Sequence, residues 1–337
     1  MQALVCSSRE KGVMEVATLG EAKAHLSDPT TLVWLDFDDS LSDEDAGLLQ
    51  SMFGFHDLAL EDASKFGDGS IRRQRPKIED YEDEGYLFLV MIAMAGRRQG
   101  QALELDLAEI DVFVGANYVV TVHQGKLAEI TSVWEDARKR PGLMACGSDR
   151  LCYHLLDVVV DNYIDLVDDI EDIIDDLEDA IIDAKAGRDA VHDVFALKRQ
   201  MITFRKTSSP LREVVNQMTS RDFPFVNEQT LPYLRDVYDH LVRLSDMLDT
   251  YRDILTGALD VHLSAVSNSL NLVMKRLTVV ATIFMPLTFI TGFWGMNFQD
   301  FMPLESRLWF WGSNTVMVVL TIGMVIYLSY SWVRKWV

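Results

Sequence analysis

The sequence predicts an α/β N-terminal domain, a long α-helical stalk and two C-terminal transmembrane helices, and three observations carry this. Residues up to about 145 mix aliphatic strand-like runs with helical ones, beyond Gly147 the period is helical throughout, and the hydrophobic excess is concentrated near the C-terminus. Lys and Arg number 31 against 52 Asp and Glu, a formal charge of −21 over 337 residues, yet mean hydropathy is +0.06. A surface this acidic repels phosphate backbones and attracts cations, which excludes nucleic acid as a partner.

In the N-terminal domain, Thr31–Phe37, Gly85–Ala95, Glu104–Val114 and Tyr118–His123 are expected strands, each rich in aliphatic and aromatic residues. Asp43–Met52 is helix-like with Ser42 as its N-cap, and polar Gly67–Arg75 is a loop. Next comes a helical hairpin, residues 146–227. In its first helix Leu156, Val159, Tyr163, Val167, Ile170, Ile174, Leu177 and Ile181 recur at steps of three and four. From Asp157 to Asp183 there are twelve acidic side chains and no basic one, which is either a solvated face or a seat for counter-ions. The second helix, about Asp189–Met218, carries Lys198, Arg199, Arg205, Lys206 and Arg212 as candidate charge partners for the first.

The stalk, residues 228–276, follows a heptad seam: Leu234, Val237, Leu241, Leu244, Leu248, Tyr251 and Leu255. Continued into the first span, about 60 residues at 1.5 Å make a rod of about 90 Å. Such a rod is expected to bury its seam against helices of identical subunits. Leu277–Trp294 has no charge over 18 residues, and Leu308–Val333 has none over 26, enough to cross a hydrocarbon core. Trp309, Phe310 and Trp311 open the second span, and Trp332 and Trp336 lie near its end, as interfacial belts do. Lys275 and Arg276 precede the first span (277–297) and Arg334 and Lys335 stand in the tail (334–337), while connector 298–307 holds Asp300, Glu305 and Arg307. Both termini are therefore expected in the cytoplasm. The N-terminus has no apolar signal region, and Cys6, Cys146 and Cys152 lack metal-site spacing and read as reduced thiols.

Ser264, Ser267, Asn268, Ser269 and Asn271 replace large apolar residues just before the membrane. One face then reads Asn271, Met274, Leu277, Ala281, Met285, Thr288, Gly292, free of charge, with Lys275 and Arg276 off it. It is either the lining of a wet pore or a helix-packing face, since small residues suit both. No phosphate loop, H-E-x-x-H helix or G-x-S-x-G elbow is present, so neither nucleotide use nor enzyme chemistry is expected.

The first span ends in Gly295-Met296-Asn297, with Met302-Pro303 in the connector and a basic tail. Gly54-Phe55-His56, Glu61-Asp62, Arg75-Pro76-Lys77, Pro210-Leu211-Arg212-Glu213, Arg235–His240 and Met285-Pro286-Leu287-Thr288 extend the pattern. Over essentially its whole length the chain resembles the CorA family of divalent-cation channels. It departs at Trp294, where many members carry tyrosine, at Glu305, one position late, and at the insert around Gly67–Ile71. The resemblance implies a funnel-shaped homopentamer in the cell (inner) membrane whose first spans line a central pore. It implies passive uptake of hydrated Mg2+, with Co2+ and Ni2+. Gly295, Met296 and Asn297 would form the selectivity filter, with rings at Met274, Leu277 and Met285 as gates. Asn297 amides would meet ion-bound waters without a formal charge, although Asn297 also reads as a helix C-cap. A regulatory Mg2+ would bridge Asp62 of one subunit and Asp236 of the next, with Glu61 nearby, although Asp236 also reads as a surface partner of Arg235 or Arg243. The alternatives are a zinc transporter of the ZntB type and a non-conducting membrane metal sensor. The intact Met296 and the absence of His and Cys from the pore face lean toward magnesium.

Overall fold

A computed structural model describes residues 1–7, 12–16, 18–64, 74–99, 102–182, 188–295 and 307–333. The chain divides into two units, Met1–Leu259 and Asp260–Val337.

The first unit opens with β1 (Gln2–Ser7), β2 (Gly12–Val16), α1 (Leu19–Leu26), β3 (Thr31–Phe37), α2 (Asp43–Phe53) and α3 (Asp57–Ser64). It continues with β4 (Lys77–Tyr81), β5 (Tyr86–Gln99), β6 (Ala102–Gly115), β7 (Tyr118–His123), α4 (Ala128–Lys139) and α5 (Pro141–Ala145). The long helices α6 (Ser148–Ile182) and α7 (Arg188–Ser220) follow, then the first part of α8 (Leu231–Trp294). The sheet order is β2-β1-β3-β7-β6-β5-β4, and only the β3–β7 pair is parallel.

Helices cover both faces of this sheet, so its central strands read as continuous apolar runs. Side chains of β3 alternate between two cores: Leu32 and Trp34 join residues of α4 to α8, while Val33, Leu35 and Phe37 join α1 to α3. The expected strands Thr31–Phe37 and Tyr118–His123 coincide with β3 and β7, and the other two run longer, as β5 and β6. Ser42 caps α2, its Oγ accepting from Asp45 N–H at 3.1 Å. Gly54 ends it in the left-handed region (φ 71°), where a side chain is strained. Of the expected loop Gly67–Arg75, residues 67–73 lie outside the described residues.

The apolar stripe of α6 is buried from Leu156 to Ile181, and its carboxylates from Asp161 to Asp179 are largely exposed. Two expectations need correction here. Two of the basic residues of α7 turn toward α8 rather than the acidic helix: Arg205 pairs with Asp249, and Lys198 Nζ donates to Thr256 Oγ1 at 2.7 Å. Arg98 of β5 reaches the acidic helix instead, at Asp176 (2.6 Å). The α8 seam, expected to need partner subunits, is buried within the chain: all seven residues from Leu234 to Leu255 are at most 7% exposed, in one core with α6 and α7. Two long helices already supply the apolar wall that the heptad pattern requires. Leu244→Ala is therefore expected to destabilise the first unit by about 2–5 kcal/mol, as a buried Leu-to-Ala cavity does. Thermal unfolding checks this, and an unchanged midpoint would show that the seam is not closed.

The second unit holds the rest of α8 and α9 (Arg307–Val333). Val279, Thr282, Ile283, Pro286 and Leu287 are partly buried on α8, and Ser313, Asn314, Met317, Thr321 and Met324 are partly buried on α9. Met324 of α9 lines a shallow cavity with Leu277, Thr278, Ala281, Thr282, Met285 and Pro286 of α8. Among the described residues one helical stretch has the length and composition to cross a membrane. It is Leu231–Phe289, whose most apolar 18-residue window has mean hydropathy 1.5 and no buried residue. α9 is a 27-residue helix with exposed Leu308, Trp309, Trp311 and Tyr330.

Candidate functional site

Asn271, Met274, Leu277, Ala281, Met285, Thr288 and Gly292 are all exposed along α8. At 100° per residue they fall within an arc of about 120°, and the partly buried stripe from Val279 to Leu287 lies mostly on the other side of the helix. Leu277, Ala281 and Met285 of the charge-free face line the shallow cavity beside Met324, while Asn271, Met274, Thr288 and Gly292 do not. The hydroxyl of this face is committed: Thr288 Oγ1 donates to Phe284 O at 2.8 Å, as Thr278, Thr282 and Thr291 do one turn back along the helix. With its proton spent on the backbone, Thr288 offers lone pairs, which suit waters that point their hydrogens away from a cation.

Helix α8 ends at Trp294, and Gly295 N–H donates to Thr291 O (3.0 Å) and Gly292 O (3.2 Å). Gly295 is not left-handed, and an added Cβ would meet nothing closer than Thr291 O at 3.4 Å. The turn here thus needs no positive φ. Met296 and Asn297 lie outside the described residues.

Glu61 and Asp62 sit on α3, whose start is fixed by the Gly54-Phe55-His56 segment. Phe55 stacks on Phe113 at 4.2 Å between ring centroids, His56 N–H donates to Tyr86 Oη (2.9 Å), and His56 Nδ1 accepts from Leu58 N–H (3.2 Å). Asp62 Oδ2 accepts from Lys77 Nζ at 2.7 Å, and Lys77 also donates to Glu79 Oε1 at 2.7 Å. Asp236 is exposed on α8. Its charge acts on Asp157 and Asp161 of α6, whose carboxyls are held above their ordinary range first by burial and then, in part, by Asp236. His240, one turn from Asp236, has a buried Nδ1 with no hydrogen-bond partner.

Within one chain the described residues hold no group of three or more His, Cys, Asp or Glu side chains placed to bind a metal. The donors are carboxylate oxygens, which fit a hard cation such as Mg2+. Lys77, Asp157, Asp161 and His240 were not singled out as site residues from the sequence. Lys77 stands in the sequence only within the Arg75-Pro76-Lys77 motif, and Asp157 and Asp161 only as two of the twelve acids of the run from Asp157 to Asp183.

The family model described as "CorA-like Mg2+ transporter protein" matches residues 29–335. The chain belongs to this CorA-like transporter family. It is 37% identical over 311 residues to the cobalt/magnesium transport protein CorA of Thermotoga maritima, covering 92% of this chain and 84% of that one. It is 24% identical over 263 residues to the zinc transport protein ZntB of Yersinia enterocolitica, covering 78% and 77%. In fold it matches the complete structure of the CorA magnesium transporter of Methanocaldococcus jannaschii, with TM-score 0.76, 24% identity and 97% of each chain covered. The CorA-like family is one of divalent-cation transporters rather than an enzyme class, and the α/β unit with its long helix is the CorA fold.

Proposed function

We propose that the chain is a passive, membrane-potential-driven channel for uptake of hydrated Mg2+, and of Co2+ and Ni2+, closed by cytosolic Mg2+ bound between subunits. The observation that carries this is the charge-free face of α8 from Asn271 to Gly292, exposed along its length. In a ring of identical chains that face lines the axis. Leu277 and Met285 close it by dewetting, Met274 adds a further constriction, and Thr288 offers acceptors to ion-bound water. A potential of 100 mV supplies about 2.3 kcal/mol per charge, about 4.6 kcal/mol for a dication, so no nucleotide is needed. Gly295, Met296 and Asn297 form the filter, and Asp62, Asp236 and Glu61 the regulatory site. The protein is multi-pass in the inner membrane, with α9 as second span, lipid around it and both termini in the cytoplasm.

The test is uptake of Mg2+, Co2+, Ni2+ and Zn2+ into proteoliposomes, with and without a proton gradient. Mg2+ flux driven by potential alone is expected. Zinc transport is the second reading, favoured by the likeness to the Yersinia enterocolitica protein, and Zn2+ uptake in preference to Mg2+ would install it. No flux of any ion would leave a membrane metal sensor. Mass measurement in detergent is expected to give a pentamer, and a monomer or dimer as the largest species would overturn the ring.

A further inference from the structure

Lys77, Val90 and Asp111 stand in one cross-strand row, because Lys77 pairs with Val90 and Val90 with Asp111. Residues paired in this way point to the same face of the sheet. Here it is the face covered by α3, since Val90 shares a core with Ala59, Leu60 and Ala63. The lysine ammonium leaves that row to hold Asp62 of α3 and Glu79 of its own strand, and lies 5.3 Å from the Phe88 ring centroid. Burial lowers the lysine's proton affinity, but hydrogen bonds and charges from Asp62 and Glu79 more than offset this, so its pKa is raised and the ammonium stays charged.

Asp111 is the odd member. It is fully buried, and neither carboxyl oxygen has a hydrogen-bond partner. Such an orphan is costly and calls for an explanation. Burial, then the charges of Glu109 and Asp62, push its pKa well above the carboxylate range, while Lys77 pulls the other way. Its neighbour Glu109 is occupied, accepting Gln74 N–H at 2.7 Å. Two strand spacings of about 4.8 Å separate Lys77 from Asp111, a span that a flexible four-carbon stem and a carboxyl can bridge over Val90.

We infer that Lys77 is a tethered competitor for the divalent cation at Asp62, its ammonium holding that carboxylate until the cation displaces it onto Glu79 and the vacant acceptors of Asp111. The carboxyl oxygens of Asp111 accept an ammonium proton whether or not the group is ionised, so the exchange needs no titration. Lys77 is a positioning residue here. It sets the cation concentration at which Asp62 becomes available, and Asp111 keeps the displaced charge from being stranded among apolar side chains. The inference rests on the assignment of Asp62 as a regulatory ligand.

The test uses the full chain in detergent and reads the Mg2+ concentration giving half-maximal protection against proteolysis. Lys77→Met keeps the aliphatic stem and removes the competitor. The midpoint is expected to fall about three- to fivefold, the worth of a partly exposed ion pair. Asp111→Leu removes the receiving seat, and the midpoint is expected to rise by a similar factor, with circular dichroism confirming the fold. Asp62→Asn separates the two levels of the argument. If it leaves the midpoint unchanged, Asp62 is not a ligand and both assignments fall. If Asp62→Asn shifts the midpoint while Lys77→Met does not lower it, the regulatory site stands and the competitor is overturned.

Discussion

Asn297→Ala is expected to abolish selective Mg2+ uptake while the protein still assembles. In the proposed filter the amide carbonyl would be the acceptor that meets the outermost waters of the ion, and alanine would remove it from every subunit at once. A hydrogen bond involving a charged partner is worth about 1.5–3 kcal/mol. Lost at a rate-determining entry step, that converts to a fall of about tenfold to over a hundredfold in flux. Competition by Co2+ is expected to weaken in parallel, because both ions arrive with ordered water. Flux through proteoliposomes, with the oligomer checked by mass, measures both. Unchanged Mg2+ uptake and unchanged Co2+ competition would remove Asn297 from the filter. Gly295→Ala is expected to be milder, since Gly295 has no left-handed backbone to protect and a Cβ there meets Thr291 O at 3.4 Å and Gly292 O at 3.5 Å, both ordinary contacts.

The second large effect is loss of closure. With Asp62→Asn and Asp236→Asn together, current is expected to persist at internal Mg2+ levels that silence the parent. In the proposed pentamer five chains at −21 would carry about −105 before counter-ions, a repulsion that bridging cations would relieve. Asp236 already adds to the field that raises the Asp157 and Asp161 carboxyls, so a dication there relieves repulsion as well as making a bridge. A ligand that prefers the closed state shifts the population toward it, which is negative feedback. Patch recordings across a range of internal Mg2+ measure it. A double variant that closes at the parent's Mg2+ level would show that this pair is not the sensor.

Much of the frame was legible because it rests on period. The β3 and β7 strands, the apolar stripe of α6 and the α8 seam are regular over their length, and burial follows the pattern. The strands β1, β2 and β4 escaped notice because five or six residues near an edge carry too little alternation to stand out. The partner of the seam was misjudged for a physical reason. A heptad pattern specifies an apolar neighbour but not its chain, and α6 and α7 serve as well as a second copy. Charge pairing was least legible. Asp62 and Lys77 are fifteen positions apart across the Gly67–Arg75 stretch, and only folding α3 against β4 brings them to 2.7 Å. Asp111 was hidden by its setting, as one acid in an apolar strand whose orphaned oxygens become visible only once the row across β4, β5 and β6 is in register.

The closed seam of α8 bears on the order of biogenesis. A protomer whose long helices already bury Leu234 through Leu255 closes that stretch of core without a neighbour. On the proposed reading, this part of the chain is expected to fold before it meets other copies. Joining other copies is then a meeting of finished bodies, governed by protein concentration in the bilayer and by ions, and not a step of chain folding. Lesions of the two kinds should therefore part company. Damage to the seam lowers the amount of protein that survives quality control while the survivors assemble normally, and damage to the surfaces between copies leaves plentiful, well-folded, solitary chains.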